Sequence, residues 1–144
     1  MRKILFLTIA LCLALSSVSF AADPSAQMDK ASELYNLGKY KQVISMITPL
    51  AEKGNADAQV MLGNCYENGL GLGMSPQIAC QWYALAAEQG NARAMAKLGY
   101  AYAVGNGVPM DFATAVRYMA SAAERGDPGA IETLDIWNRE GKLN

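Results

Sequence analysis

The stretch that decides the fold is Asn55–Gly90, NADAQVMLGNCYENGLGLGMSPQIACQWYALAAEQG, because Asn91–Gly126, NARAMAKLGYAYAVGNGVPMDFATAVRYMASAAERG, follows it at once. At an offset of 36 residues, 15 of the 36 aligned positions are identical, the mark of stacked supersecondary units. Ala58/Ala94, Leu62/Leu98, Gly63/Gly99 and Tyr66/Tyr102 fall at helical spacing, and Gly69/Gly105 and Gly71/Gly107 then break the chain. Ala79/Ala115, Ala86/Ala122, Ala87/Ala123 and Glu88/Glu124 mark a second helix, which Gly90/Gly126 ends. Each block therefore predicts a helical hairpin. Small Gly63 and Ala79 let its helices approach, and Leu62, Tyr66 and Tyr83 are expected to fill the space between units. One hairpin cannot bury its own face, so neighbours must stack.

The register continues outward from the two blocks. Ala130 and Leu134 repeat Ala58 and Leu62 on a last helix, about Pro128–Arg139, with Asp127 as N-cap and Pro128 at its first position. Asp135, Asn138, Arg139, Glu140 and Lys142 make that helix polar, as the cap of a stack must be. Upstream, Ala31–Tyr40 and Val43–Ala51 predict another hairpin with a shorter turn. The chain is thus expected to be all-α, an α-hairpin solenoid of three hairpins plus a C-terminal capping helix. Its segments are 1–21, 22–54, 55–90, 91–126 and 127–144.

Residues 1–21 read as a secretory leader: basic Arg2 and Lys3, an apolar run from Ile4 to Leu15, then small and polar residues. Small-residue selectivity favours a cut after Ala21, which places Ser19 three positions back. The apolar run is shorter than the ~20 residues needed to span a bilayer, so export is expected, to a periplasm or beyond, without membrane insertion once the leader is gone. The 144 residues carry 12 Lys and Arg against 13 Asp and Glu, a net charge of −1. Loss of Arg2 and Lys3 leaves 10 − 13 = −3, which argues against a nucleic-acid surface. The absence of histidine removes Ser-His and Cys-His nucleophile pairs and imidazole metal sites.

The pattern Ala58…Leu62-Gly63…Tyr66…Gly69…Gly71…Ala79…Trp82-Tyr83…Ala86-Ala87-Glu88, answered by Leu98-Gly99…Tyr102…Gly105-Asn106-Gly107-Val108-Pro109…Asp111…Ala115…Tyr118…Ala122-Ala123, resembles the Sel-1-like repeat (SLR), a relative of the tetratricopeptide repeat. The N-terminal hairpin, whose turn Gly38-Lys39-Tyr40 lacks Gly-x-Gly, is more similar to an ordinary tetratricopeptide unit. The first SLR has Ser75-Pro76 where the second has Asp111-Phe112, which leaves the two inter-helix turns open to differ. The resemblance implies an interaction scaffold without intrinsic catalysis. Cell-wall or β-lactam hydrolysis, a claim attached to cysteine-rich relatives, is the rival reading.

Candidate chemistry is sparse. Gly69-Leu70-Gly71-Leu72-Gly73 follows a helix rather than a strand and is answered by Gly105-Asn106-Gly107, so it reads as a turn and not a phosphate loop. Cys65 and Cys80 align with Ala101 and Val116, both apolar. Both sulfurs are expected inward at similar levels of one hairpin, and a 65–80 disulfide is favoured over two buried free thiols. Trp82, Tyr83, Tyr66 and Tyr102 read as core by spacing. No carboxylate pair, metal set or cofactor motif stands out.

Function then falls to geometry. In tetratricopeptide-like stacks the first helix of each hairpin lines the concave face, and carrying that register over selects Met28, Ser32, Tyr35 and Asn36 in the first unit. It selects Asp57, Val60, Asn64, Glu67 and Asn68 in the second, and Arg93, Ala96, Tyr100, Ala103 and Val104 in the third. None of the five aligned pairs between the two SLR units is identical, although the framework between them is. A groove on a fixed scaffold and plain solvent-facing drift both give this pattern. The partner expected there is another protein or peptide, with Arg93 and Tyr100 the natural anchors. Adaptor and regulator are the leading roles, and an inhibitor or immunity-type protein neutralising one enzyme or toxin is the alternative.

Overall fold

The computed structural model describes residues 23–143; the proposed leader and its cut after Ala21 lie outside the described residues. Seven helices and no strand occur among them: α1 Pro24–Asn36, α2 Tyr40–Glu52, α3 Ala56–Asn68, α4 Pro76–Glu88, α5 Ala92–Val104, α6 Phe112–Glu124 and α7 Pro128–Arg139. Each packs chiefly on the helices before and after it in the chain. This is the all-α hairpin solenoid: α1/α2, α3/α4 and α5/α6 are the hairpins and α7 is the added helix.

The helices start where side chains satisfy their orphan N–H groups. Asn55, Asn91 and Asp127 accept from the backbone N–H of Ala58, Ala94 and Ala130, one cap repeated three times at 36-residue intervals. Gly69 and Gly105 end α3 and α5 in the left-handed region, at φ 66° and 72°, where a side chain would be strained. Ser75 and Asp111 cap α4 and α6 in nearly the same backbone geometry, φ −152° and −149°. Leu70 N–H donates to the Cys65 carbonyl and Ser75 N–H to that of Tyr66, as Asn106 does to Ala101 and Asp111 to Tyr102. The Ser75-Pro76 substitution therefore leaves the turn unchanged, because the serine hydroxyl caps as the aspartate does and proline suits a first helical position.

The core forms two clusters, one across α1–α3 around Val43, Ile47 and Leu62, the other across α3–α7 around Tyr83, Leu98 and Met119. Tyr66 packs against both. Equivalent positions carry complementary sizes. Ile47, Tyr83 and Met119 occupy one position on the second helices, and Ala31, Gly63 and Gly99 occupy one position on the first helices. Within each SLR hairpin these two positions meet: a Cβ on Gly63 would fall on the Tyr83 ring and one on Gly99 on the Met119 side chain. Tyr83 thus fills space inside its own hairpin, against Gly63, as well as facing the next unit, whose Lys97 stands over its ring.

Cys65 and Cys80 are free and buried, which corrects the expected disulfide. Cys80 Sγ lies 3.4 Å from the Asn106 carbonyl in the next unit's turn and belongs to the α3–α7 cluster. α4 aims Cys80 onward along the stack, toward that turn. Burial pushes the Cys65 thiol up to about 11, and Cys80 is raised by burial and then by the charge of Glu67.

Candidate functional site: the concave groove

The first helices of the units, together with the turn before α7, enclose a groove of about 750 Å³. Met28, Ser32, Tyr35 and Asn36 come from α1, Asp57, Val60 and Asn64 from α3, and Arg93 from α5. These are eight of the residues that the register selects, and helical periodicity is why they share a face: in each helix they recur at three- and four-residue intervals. Val60 is only 3% exposed, so it forms floor rather than contact surface.

Six selected residues do not line this groove. Glu67 is committed elsewhere: its carboxylate accepts from Lys97 Nζ at 2.6 Å and from the Tyr83 hydroxyl at 3.0 Å. That hydroxyl also lies 2.8 Å from Asn64 Oδ1, and Lys97 Nζ stands 5.9 Å above the Tyr83 ring. The cluster ties α3, α4 and α5 together under the groove, and burial, then the Glu67 charge, raises the Tyr83 hydroxyl well above its ordinary value. Asn68 turns its amide back to the Asn64 carbonyl, and Ala96 and Ala103 pack against the core. Tyr100 and Val104 are 54% and 51% exposed, an apolar extension of the face beyond the groove's end.

The structure adds residues that the register does not select. Asp29, Met61, Asn91 and the turn Arg125–Pro128 also line the groove. The turn belongs there because every second helix hands over to the next first helix at this level. Arg125 Nη1 donates to the Ser121 carbonyl at 3.1 Å, and its Nε lies within van der Waals reach of a Cβ placed on Gly90, so the side chain folds back across the preceding turn. Asn91 Nδ2 donates to Asp57 Oδ1 at 3.1 Å, and Asp127 is occupied as the α7 cap. Arg93, by contrast, is exposed and makes no ion pair among the described residues. Burial, first, raises the Tyr35 hydroxyl, which keeps it a neutral donor at the groove wall.

One polar residue beneath the face also escaped sequence reading. Gln59 is buried, donates its amide to the Ala51 carbonyl at 3.0 Å and accepts from Gln89 at 2.9 Å. It links three helices, α2, α3 and the end of α4. Its aligned partner Met95 is apolar and buried, so nothing in the repeat marks position 59 as polar and satisfied. No helix among the described residues is long and apolar enough to cross a membrane.

The Sel1 repeat model matches residues 56–91 and 92–127, half of the chain and one residue later than the sequence blocks. Among solved structures, a Sel1 repeat protein from Oxalobacter formigenes is 35% identical with a TM-score of 0.73, over 78% of this chain and 46% of that one. A protective antigen of uropathogenic Escherichia coli strains, displaying an SLR fold, is 29% identical with a TM-score of 0.68, over 81% and 27%. Helicobacter pylori cysteine rich protein B shares the fold at 18% identity and a TM-score of 0.63, over 81% and 98%. The chain therefore spans about half of the Oxalobacter protein and about a quarter of the Escherichia one. No curated protein matches the chain significantly. Sel1 repeat proteins are generally protein-interaction scaffolds. With both repeats matched and both built as the same hairpin, the chain belongs to the Sel1 repeat family.

Proposed function

We propose that the chain is an exported, non-catalytic scaffold whose concave groove takes an extended segment of a partner protein, with an acidic side chain toward Arg93 and an apolar one toward Tyr100 and Val104. One observation carries this reading. The groove is lined by first-helix positions at which the two repeats differ, Asp57 against Arg93, and the exposed Tyr100, aligned with the groove residue Asn64, extends the same face beyond its end, while the framework holding them is shared. Arg93 makes no ion pair among the described residues, and arginine and tyrosine are among the residue types that most often dominate an interface. The basic, apolar and small-residue order of residues 1–21 supports export.

The test is affinity capture from the envelope extract of the source cell, run with the native protein and with an Arg93→Glu, Tyr100→Glu variant. Both side chains are exposed, so the variant keeps the native melting temperature. A partner held by the native protein and lost by the variant supports the groove. A partner held equally by both, or none by either, overturns it. If the role is inhibition, an equimolar amount of the protein abolishes the captured partner's activity.

A further inference from the structure

Methionine occupies two very different environments in this stack. Met95 and Met119 are buried and Met28, Met46 and Met61 are half-buried, whereas Met74 and Met110 are 71% and 73% exposed. No other large apolar side chain among the described residues is as exposed. The two are repeat equivalents, 36 residues apart and identical, although most exposed positions differ between the repeats. Each sits in the turn of its hairpin, where its Cβ would lie 3.2 Å from a Cβ on the left-handed glycine that ends the first helix, Gly69 or Gly105. That contact uses only the root of the side chain. Packing accounts for an unbranched residue at this place, but not for a thioether held out in solvent.

We propose that Met74 and Met110 are the paired sites at which the folded protein takes up oxygen from two-electron oxidants of the peroxide class. In each reaction a thioether lone pair attacks the outer oxygen of hydrogen peroxide. The S–O bond forms as the O–O bond breaks, and the proton of the attacked oxygen passes to the departing hydroxide, which leaves as water. Sulfur loses two electrons and peroxide gains them. The sulfoxide is polar, so its formation in the core would strand a polar group, while at the turns it meets water. The thiols do not compete, since Cys65 and Cys80 are buried and held protonated. Neither turn methionine lines the concave groove, so this chemistry stands apart from partner binding there.

The experiment treats the folded protein with hydrogen peroxide and follows intact mass, peptide mapping and melting temperature. Two increments of about 16 Da are expected first, both mapping to Met74 and Met110, with the melting temperature unchanged within ~2 °C. A Met74→Leu, Met110→Leu variant, whose Cβ contacts are retained, takes up its first oxygen at least about tenfold more slowly. Treatment with methionine sulfoxide reductases returns the oxidised native protein to its original mass. First oxygens on Met28, Met46, Met61 or a cysteine overturn the proposal. So does a melting temperature that falls with the first two additions, or a double variant that reacts at the native rate.

Discussion

Replacing Gly63 by alanine tests the packing logic of the hairpin, and the second repeat supplies its own control. A Cβ at position 63 would stand 2.5 and 2.8 Å from Cε1 and Cδ1 of Tyr83. The ring cannot swing away freely, because its hydroxyl is anchored between Asn64 and Glu67. Overpacking of this kind costs ~1–3 kcal/mol, and loss of a hydrogen bond to a charged group adds ~1.5–3 kcal/mol if the ring gives way. Alanine returns ~1 kcal/mol of helix propensity. The net expectation is a loss of about 2–4 kcal/mol. At Gly99 the same Cβ meets Met119 Cγ at 2.9 Å and Cε at 3.2 Å, and the Ala115 carbonyl at 3.2 Å. Methionine has three rotatable bonds and yields, so Gly99→Ala should cost only about 0–1 kcal/mol. Urea unfolding of the two variants reads the difference, and a loss of ~3 kcal/mol lowers the melting temperature of a domain this size by about 12 °C. Tyr83→Met in the Gly63→Ala background recreates the alanine–methionine combination of the Gly99→Ala variant and should recover part of the loss. Equal costs at the two glycines, or a larger cost at Gly99, would refute the assignment of Tyr83 as the rigid filler.

Other expectations concern the groups under the groove. Glu67→Gln keeps the shape of the side chain but removes the charge facing Lys97, whose side chain is 35% exposed against 16% for Glu67. Discounted for that exposure, the loss in stability is ~1–2 kcal/mol, while the affinity of a groove partner holds within about twofold; a tenfold loss of affinity in a folded variant would return Glu67 to the binding surface. The unfolded chain without residues 1–21 should present two thiols to a thiol reagent and the folded one almost none; an unfolded chain without free thiols would restore the disulfide. Cys65 has a raised thiol pKa of about 11 in the folded state, so the folded chain keeps a proton that the unfolded chain releases near its ordinary ~8.5. Its contribution is therefore full at neutral pH and is lost as pH rises toward 11, and the raised Tyr83 hydroxyl adds to the loss at higher pH still. Cys65→Ala should flatten the first part of that alkaline decline; an unchanged decline would mean that the thiol is not its source.

The fold was legible because its determinants are local and written more than once. Asn55, Asn91 and Asp127 cap three helices in the same way, and the glycines at 69 and 105 break the chain at the same angle. The face of the site was legible for the same reason: Asp57, Asn64 and Arg93 reach the groove by periodicity alone. What escaped depends on direction and on long-range partners. Glu67 follows the concave spacing, yet Lys97 and Tyr83 draw its carboxylate away. The spacing of Cys65 and Cys80 predicts one level of the hairpin, yet level says nothing of azimuth, and Cys80 faces the following turn. Arg125 and Asp127 lie in a connection that periodicity does not address, so their place at the rim appears only when consecutive units are stacked.

The glycine turns also say something about how such a chain grows. Gly71 closes on the backbone and side chain that begin α2, at Tyr40, and Gly107 closes in the same manner on Pro76 and Gln77 at the start of α4. Each unit thus arrives with a socket shaped for the root of the helix already in place. Second helices begin 16 residues before the next first helix in all three units, from 40 to 56, 76 to 92 and 112 to 128. The joints are interchangeable parts. An extra copy of residues 91–126 set in after Gly126 would meet the same cap, the same socket and the same spacing, lengthening the concave face by one module without redesign of either neighbour. Only at the far end does the pattern shut. Asp135 stands where Gly63 and Gly99 admit a second helix, and Trp137 closes over Phe112 with ring centres 4.8 Å apart.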